Sequence, residues 1–125
     1  MGNKDKILVV EDNRETQLII KAALRNNFDV QVESSASSAL TALSKTNFDA
    51  ILLDLNLSGD GDGKSILKEI RDGMKNHKVP VIITTAYDLN AEDKNFFDQN
   101  ANAFLLKPLN KETLLKSISN LLPNS

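Results

Sequence analysis

Five short runs rich in apolar residues recur along the chain, and stretches with apolar residues at helical spacing separate them. Runs that are apolar on both faces are typical of strands buried in a parallel sheet, because helices cover both faces of such a sheet. The second run alternates apolar and polar residues, which predicts a half-exposed edge strand. The predicted strands are 7–10, 30–33, 50–53, 80–84 and 103–106.

The alternation of strands and helices predicts an α/β fold, because helices provide the crossovers between consecutive parallel strands. We expect a doubly wound, five-stranded parallel sheet of the flavodoxin-like type, with five helices and strand order 2-1-3-4-5. That order places the second strand at an edge. A chain of 125 residues suits one domain with its own core. The predicted helices lie in the segments 14–27, 36–43, 66–74, 91–100 and 114–122.

The amino-acid composition excludes several functional classes. The formal net charge is −2 and the basic residues are scattered, so the chain has no electrostatic footprint for nucleic acid. The absence of cysteine excludes disulfides, a thiolate nucleophile and a cysteine-ligated zinc site. No apolar run approaches the length of a membrane span or of a signal peptide. We therefore expect a cytoplasmic protein whose partners are neither nucleic acids nor membranes.

Polar residues follow four of the predicted strands. Glu11 and Asp12 follow the first strand, and Asp54 follows the third. Thr85 and Lys107 follow the fourth and the fifth. Because the carboxyl ends of parallel strands meet at one rim of a sheet, these five side chains are expected to converge. Three carboxylates at short range repel one another unless a cation lies among them, and oxygen ligands favour Mg²⁺.

The other polar groups at this rim suit a phosphoryl group. Lys107 offers a positive charge and Thr85 a hydroxyl donor for phosphoryl oxygens. Asp54 would be the nucleophile, since carboxylates form aspartyl-phosphates. Each residue alone has a structural explanation, such as a helix cap or a turn. Their coincidence at one rim favours a functional site.

Four segments of the chain resemble the receiver domain of two-component response regulators. They occur in the family's order and spacing, and the resemblance covers residues 5–122, the expected core of a single receiver domain over 1–125. The four segments are 7–13, 51–55, 81–86 and 104–108.

The resemblance implies a metal site around a phospho-acceptor. Asp54 resembles the phospho-acceptor, which also contacts the metal. Asp12 is similar to the direct Mg²⁺ ligand, and Glu11 to the acid that acts through bound water. Asn56 lies where the family uses a backbone carbonyl as a ligand. The implied cofactor is Mg²⁺, with Mn²⁺ as a second candidate.

The resemblance also implies a set of switch residues. Thr85 resembles the switch threonine and Phe104 the switch aromatic residue. Lys107 is similar to the family's invariant lysine, and a cis peptide bond is implied between it and Pro108. Tyr87 lies where the family tunes the access of water to the phosphoryl group.

The implied function is a phospho-accepting signalling switch. A sensor histidine kinase or a histidine phosphotransferase donates the phosphoryl group to Asp54, and the receiver later hydrolyses it, without acting as an enzyme on other substrates. Phosphorylation shifts the population between two states and remodels the face made by helix four, strand five and helix five, which binds a downstream protein target. We expect a monomer or a weak, phosphorylation-linked dimer.

Two features depart from the family pattern. Ser58 stands where the family often has proline, and the loop 58–63 is one residue longer than the commonest form. These departures bear on the conformation of that loop and leave the five rim residues unchanged.

No output segment follows Leu122, so the expected output is phosphorelay or protein binding, unless the chain was cut from a larger protein.

Several other classes of protein fit the sequence less well. A haloacid-dehalogenase-like phosphatase needs a second acid where this chain has Asn56, and a flavodoxin phosphate cradle conflicts with the acids after the first strand. A calcium loop fails because its twelfth position is Ser65 instead of glutamate. His77 is predicted to be a solvated loop residue. The alternative that remains is a phosphorylation-independent, receiver-like protein interaction module.

Overall fold

The structure is a computed structural model that describes residues 4–57, 63–73, 78–86 and 89–122. In this part of the chain, five strands alternate with five helices. The elements are β1 (Lys6–Val10), α1 (Arg14–Leu24), β2 (Asp29–Glu33), α2 (Ala36–Lys45), β3 (Ala50–Asp54), α3 (Gly63–Gly73), β4 (Val81–Thr85), α4 (Ala91–Asn100), β5 (Ala103–Leu106) and α5 (Lys111–Leu121).

The strands form one parallel sheet in the order β2-β1-β3-β4-β5, which confirms the predicted topology. In the centre, β1 and β3 pair with Leu8 opposite Ile51, and β3 pairs with β4 so that Asp54 lies opposite Thr84. All residues of β3 and β4 are buried, whereas β2 is half-exposed, as expected for an edge strand. The order therefore brings the carboxyl ends of β1, β3, β4 and β5 to one rim.

The core has two layers, one on each face of the sheet. Alternate residues of each central strand point to opposite faces; in β1, for example, Leu8 belongs to one layer and Ile7 to the other. Helices α2, α3 and α4 cover the first face, while α1 and α5 cover the second. No helix within the described ranges is long and apolar enough to cross a membrane.

Four helices begin with a side-chain cap close to the end of the preceding strand. Each cap side chain accepts the backbone N–H three residues further on, which satisfies one of the free donors of the first turn. The cap of α1 directly follows the acidic residues Glu11 and Asp12, so this helix starts close to them. The caps are Asn13, Ser35, Asn90 and Asn110 for α1, α2, α4 and α5.

Helix α1 is shorter than the segment predicted from the sequence. It ends at Leu24, whose carbonyl accepts the N–H groups of Asn27 and Phe28 as the chain turns towards β2. This turn buries Phe28 although it lies outside the helix. Ile19, an apolar residue of this helix, is 51% exposed.

At the rim opposite the acidic residues, Arg71 of α3 joins three segments of the chain. Its Nη1 donates to the Val79 carbonyl at 2.7 Å and its Nε to the Asn100 carbonyl at 2.8 Å. Its Nη2 donates to Asn102 Oδ1 at 3.1 Å, and that oxygen also accepts the N–H of Val81 at 2.9 Å. The amino ends of β4 and β5 are thereby fixed to α3. Burial lowers the pKa of Arg71, which remains a cation because an arginine titrates far above neutral pH.

Candidate functional site

Three carboxylates meet at the rim formed by the carboxyl ends of β1 and β3. Glu11 and Asp12 directly follow β1, and Asp54 is the last residue of β3. One oxygen from each carboxylate lies within 4.8 Å of the other two. Glu11 and Asp54 are buried and Asp12 is half-buried. The topology thus places the three acids where the sequence pattern predicted that they would converge.

Lys107 brings a positive charge to this acidic group. Its Nζ lies 2.8 Å from Glu11 Oε1 and 3.5 Å from Asp54 Oδ2, so the ammonium bridges two carboxylates. The Lys107 backbone N–H donates to the Thr85 carbonyl at 2.8 Å, which fixes the lysine to the end of β4. The peptide bond between Lys107 and Pro108 is cis, as the resemblance implied. The sequence assigned Lys107 to phosphoryl oxygens, and here it lies against the two acids.

The burial of these groups determines their protonation behaviour. Burial is the largest influence on Glu11 and raises the pKa of its carboxyl; Asp54 adds to the rise, while Lys107 and the Asn13 N–H oppose it. For Lys107, burial alone lowers the pKa, but the Glu11 and Asp54 carboxylates together outweigh that effect and raise it above its ordinary value. The lysine is therefore a permanent cation at neutral pH, held by two acids.

Hydrogen bonds from the chain itself orient the two buried carboxylates. The Asn13 N–H donates to Glu11 Oε2 at 3.1 Å, and the Asn56 N–H donates to Asp54 Oδ1 at 3.2 Å. The Gln17 side-chain amide donates to the Glu11 carbonyl. Asn56 therefore contacts the candidate acceptor through its N–H. Sequence reasoning missed Asn13 and Gln17 as supports, although their place at the start of a helix that follows an acidic pair was a usable signal.

The two predicted switch residues lie on neighbouring strands. Thr85 is fully buried at the end of β4, and its backbone contacts Lys107. Phe104 on β5 is half-buried and packs against the core layer covered by α4. Its ring meets the Phe97 ring edge-on, with 5.9 Å between the centroids. Tyr87, His77 and the loop residues 58–62 lie outside the described residues.

Gly63 is a further residue that the sequence analysis did not identify. It begins α3 and lies against the backbone of the candidate acceptor, with its N–H donating to the Leu55 carbonyl at 3.3 Å. A Cβ atom at this position would lie 2.6 Å from the Asp54 carbonyl oxygen and 2.9 Å from the Leu55 Cα. Only glycine allows this close approach without a shift of the backbone. A glycine at the start of a helix that follows a site loop was the available signal.

The donor set of this site suits a hard divalent cation. Each of the three carboxylates has an oxygen close to an oxygen of the other two. Carboxylate oxygens are the ligands that Mg²⁺ prefers. Glu11 Oε1 is buried and contacts the Lys107 ammonium, but it accepts no hydrogen bond of regular geometry among the described residues. An incompletely satisfied buried carboxylate oxygen is the kind of group that a metal-bound water can complete.

Comparison with known proteins places the chain in one family. The family model of the response regulator receiver domain matches residues 7–119. The chain therefore belongs to the receiver domains of two-component response regulators. This result confirms the resemblance noted in the sequence.

Individual relatives agree with this assignment. The chain is 33% identical over 114 residues to the response regulator ArlR of Staphylococcus saprophyticus, which covers 90% of this chain and 50% of that protein. It is 31% identical to the receiver domain of the sensor histidine kinase PA1611 of Pseudomonas aeruginosa, with a TM-score of 0.85 and coverage of 95% of this chain and 98% of that one. The latter structure has a magnesium ion coordinated in its active-site cleft.

A chemotaxis protein has a similar structure over a comparable length. CheY4 of Vibrio cholerae superposes with a TM-score of 0.87 at 26% identity, covering 96% of this chain and all of that chain. By contrast, the chain spans about half the length of ArlR and of two other curated relatives that it matches.

Proposed function

We propose that Asp54 accepts a phosphoryl group from a phosphohistidine on a sensor histidine kinase or a histidine phosphotransferase. One observation carries this proposal: three carboxylates lie within 4.8 Å of one another, and the Lys107 ammonium bridges Glu11 and Asp54. Bringing several carboxylates together in a buried site costs free energy. The arrangement is best explained by a ligand that brings positive charge, or by one that needs charged groups around it.

The transfer is a displacement at phosphorus. A carboxylate oxygen of Asp54 attacks the phosphorus as the P–N bond to the donor imidazole breaks, and the bonding pair leaves with the imidazole nitrogen. The Asn56 N–H, which donates to Asp54 Oδ1, holds the carboxylate so that its other oxygen is presented for attack. Lys107, 3.5 Å from that oxygen, lies where negative charge develops on the phosphoryl group. The Thr85 hydroxyl is the neutral donor that completes the cradle.

Asp12, Asp54 and Glu11 would hold the divalent cation, and the Asn56 carbonyl would complete the ligand set. Mg²⁺ is the expected ion, with Mn²⁺ as an alternative of similar ligand preference. When bound, the ion supplies positive charge to the phosphoryl oxygens and offsets the repulsion among the acids. The magnesium found in the PA1611 receiver domain supports this assignment.

The output of the switch is carried by α4, β5 and α5. Phe104 lies on β5 itself, and Leu106, two residues further along this strand, has 57% of its surface exposed. Leu106 would offer a partner one exposed apolar side chain on this edge strand. Phosphorylation of Asp54 would draw in Thr85 and Phe104 and change the affinity of this face for a downstream protein.

Intact-mass measurement after incubation with acetyl phosphate tests the proposal. With Mg²⁺ present, we expect one phosphoryl adduct on the wild-type chain and none on Asp54→Ala. Asp72→Ala, which removes an exposed acid from α3, is the matched control and should form the adduct normally. Mass is the suitable readout because the chain has no tryptophan for fluorescence quenching.

The same experiment separates the proposal from the alternative function. If the wild-type chain forms no adduct and its NMR spectrum does not respond to beryllofluoride with Mg²⁺, the phosphotransfer proposal is wrong. The chain would then be a phosphorylation-independent interaction module. Transfer from a phosphorylated histidine phosphotransferase to Asp54 would identify the physiological class of donor.

A further inference from the structure

Helix α4 is only lightly anchored to the core. Of its ten residues, Phe97 alone is fully buried, and its first turn carries the acids Glu92 and Asp93. A helix with so little buried apolar surface gains little of its position from the core. The contacts that α4 makes with neighbouring elements therefore have a large share in fixing where it lies.

Lys64, the second residue of α3, makes two such contacts. Its Nζ lies 3.0 Å from Asp93 Oδ1 in an ion pair and a hydrogen bond. The same Nζ lies 5.1 Å from the centroid of the Phe96 ring, within the range of a cation–π attraction. One ammonium group thus holds α4 by a charge on its first turn and by a ring one turn further on.

The Phe96 ring continues this contact to the switch aromatic residue. Phe96 and Phe97 meet edge-on with 5.2 Å between centroids and an interplanar angle of 82°. Phe97 meets Phe104 in the same way, at 5.9 Å and 77°. Edge-to-face pairs have directional preferences, so a rotation of Phe104 requires Phe97 and then Phe96 to adjust.

The other end of this chain of contacts lies against the phospho-acceptor. Gly63 precedes Lys64 and packs on the Asp54–Leu55 backbone with no room for a Cβ atom. Because the two backbones lie this close together, a displacement of the backbone at Asp54 would be transmitted to the first turn of α3. That movement would carry Lys64 away from Asp93 and from the Phe96 ring.

We propose that Lys64 and Phe96 form a latch between α3 and α4 that holds the resting positions of α4 and Phe104 until Asp54 is phosphorylated. This proposal rests on the proposed function, since it assigns a regulatory role at the same switch. It adds a route through α3 that does not pass through the Thr85 hydroxyl. α4 is the element with two arrangements, and the latch biases the equilibrium between them.

The expected effect is modest, because the partners are partly exposed. The Lys64 and Asp93 side chains are 41% and 36% exposed, which is typical of ion pairs that contribute little. Removing the latch should therefore raise the proportion of the active arrangement about two- to five-fold. By linkage, the variant should bind a phosphoryl analogue more tightly by the same factor.

Beryllofluoride titration followed by NMR of the α4 amides tests this inference in the presence of Mg²⁺. Lys64→Gln removes the charge, and Phe96→Leu removes the ring while keeping an apolar side chain. We expect each variant to lower the apparent dissociation constant for beryllofluoride about two- to five-fold and to shift the α4 amide resonances towards their bound positions without ligand. The double variant should show less than the sum of the two free-energy changes, because both substitutions break the same contact.

Lys68→Gln is the matched control, since it makes the same charge change one turn along α3 on an exposed lysine. It should behave as wild type. If Lys64→Gln and Lys68→Gln give the same dissociation constant while wild type binds beryllofluoride normally, the latch is overturned and the proposed function stands. If wild type itself forms no Asp54 adduct and binds no beryllofluoride, the proposed function fails first, so the two failures are distinguishable. Far-UV circular dichroism confirms that each variant is folded.

Discussion

Lys107 is held between two acids at the rim formed by the carboxyl ends of the strands. Its closer partner is Glu11, at 2.8 Å, and Asp54 lies 3.5 Å away. The lysine therefore compensates the buried acidic pair, and under the proposed function it is already in place when negative charge develops near Asp54. The same ammonium opposes the binding of a divalent cation in the site, because like charges repel.

Replacement of this lysine should separate these effects. In Lys107→Met, we expect Mg²⁺ to bind on the order of tenfold more tightly, because a nearby positive charge has been removed. Adduct formation with acetyl phosphate should slow by about 10²–10³, because a donor to the developing charge is lost. Without Mg²⁺, the variant should lose about 3–5 kcal/mol of stability, since two buried carboxylates lose their counterion.

Isothermal titration with Mg²⁺, adduct kinetics and urea unfolding measure these three quantities. Lys111→Met, a change of the same kind at an exposed lysine, should alter none of them. Weaker Mg²⁺ binding by Lys107→Met would show that the ammonium supports the metal site instead of opposing it, contrary to this account.

The close approach of Gly63 to the acceptor backbone makes a second prediction at this scale. Gly63→Ala should destabilise the protein by about 1–3 kcal/mol, because the new Cβ would lie 2.6 Å from the Asp54 carbonyl oxygen and the backbone must shift. Gly73→Ala at the other end of α3 should be neutral or stabilising, since no heavy atom lies within 4 Å of its Cβ and alanine favours helix. Thermal unfolding of the two variants tests this prediction. Equal stabilities of Gly63→Ala and Gly73→Ala would contradict the packing argument.

At the scale of elements, the weak anchoring of α4 makes its N-cap important. The Asn90 side chain accepts the Asp93 N–H at 2.8 Å. Asn90→Ala should cost about 1 kcal/mol and increase amide exchange throughout α4, because little buried surface compensates for the lost cap. Asn110→Ala removes an equivalent cap from α5, which buries Leu114 and Ile118. In Asn110→Ala, amide hydrogen exchange should increase only in the first turn of α5. If the two variants lost protection along the whole of α4 and the whole of α5, the two helices would not differ in their dependence on the cap.

The elements themselves were largely predictable from the sequence. The runs at 7–10 and 50–53 are apolar on both faces, and the structure buries both in the centre of the sheet. The alternation at 30–33 predicted an edge strand, which β2 is. The convergence of Glu11, Asp12 and Asp54 followed from the rule that parallel strands end at one rim. The strand order was predicted from the edge character of the second strand, because periodicity alone does not specify which strands are neighbours.

The contacts between elements were not predictable from the pattern. Periodicity assigns Lys64 and Arg71 to a polar helix face, and says nothing of Asp93, Asn100 or Asn102, which lie about thirty residues away. The contact of Phe97 with Phe104 likewise depends on how α4 crosses β5. The end of α1 at Leu24 was missed because the apolar residue Phe28 continues the helical spacing although the chain has already turned. Such contacts depend on tertiary geometry, which a local pattern does not contain.

At the scale of the whole molecule, the two rims of the sheet are stabilised differently. Buried acids and one lysine occupy the rim at the carboxyl ends, while the guanidinium of Arg71 fixes the rim at the amino ends through three acceptors. Motions associated with switching are therefore expected at the first rim, and the second rim supports the position of the strands during them.

Arg71→Lys should reveal the value of this support. A lysine cannot donate in three fixed directions, so carbonyl groups of Val79 and Asn100 would lose a donor. We expect a loss of about 1–3 kcal/mol in the free energy of unfolding, with adduct formation at Asp54 unchanged. Arg25→Lys, at an exposed arginine after α1, is the control and should leave stability unchanged. A large drop in adduct formation by folded Arg71→Lys would show that the two rims are not independent.

The edge strand β2 has a consequence for how copies of this molecule meet. Its side chains Asp29, Gln31 and Glu33 share one face. If a second copy added to this edge antiparallel about Gln31, Asp29 of each copy would lie opposite Glu33 of the other, and like charges directly opposite destabilise strand pairing. Asp29 and Glu33 therefore disfavour antiparallel pairing of β2 with the β2 of a second copy. An edge strand offers backbone hydrogen-bonding groups to other chains, and this repulsion opposes the extension of the sheet into a fibre.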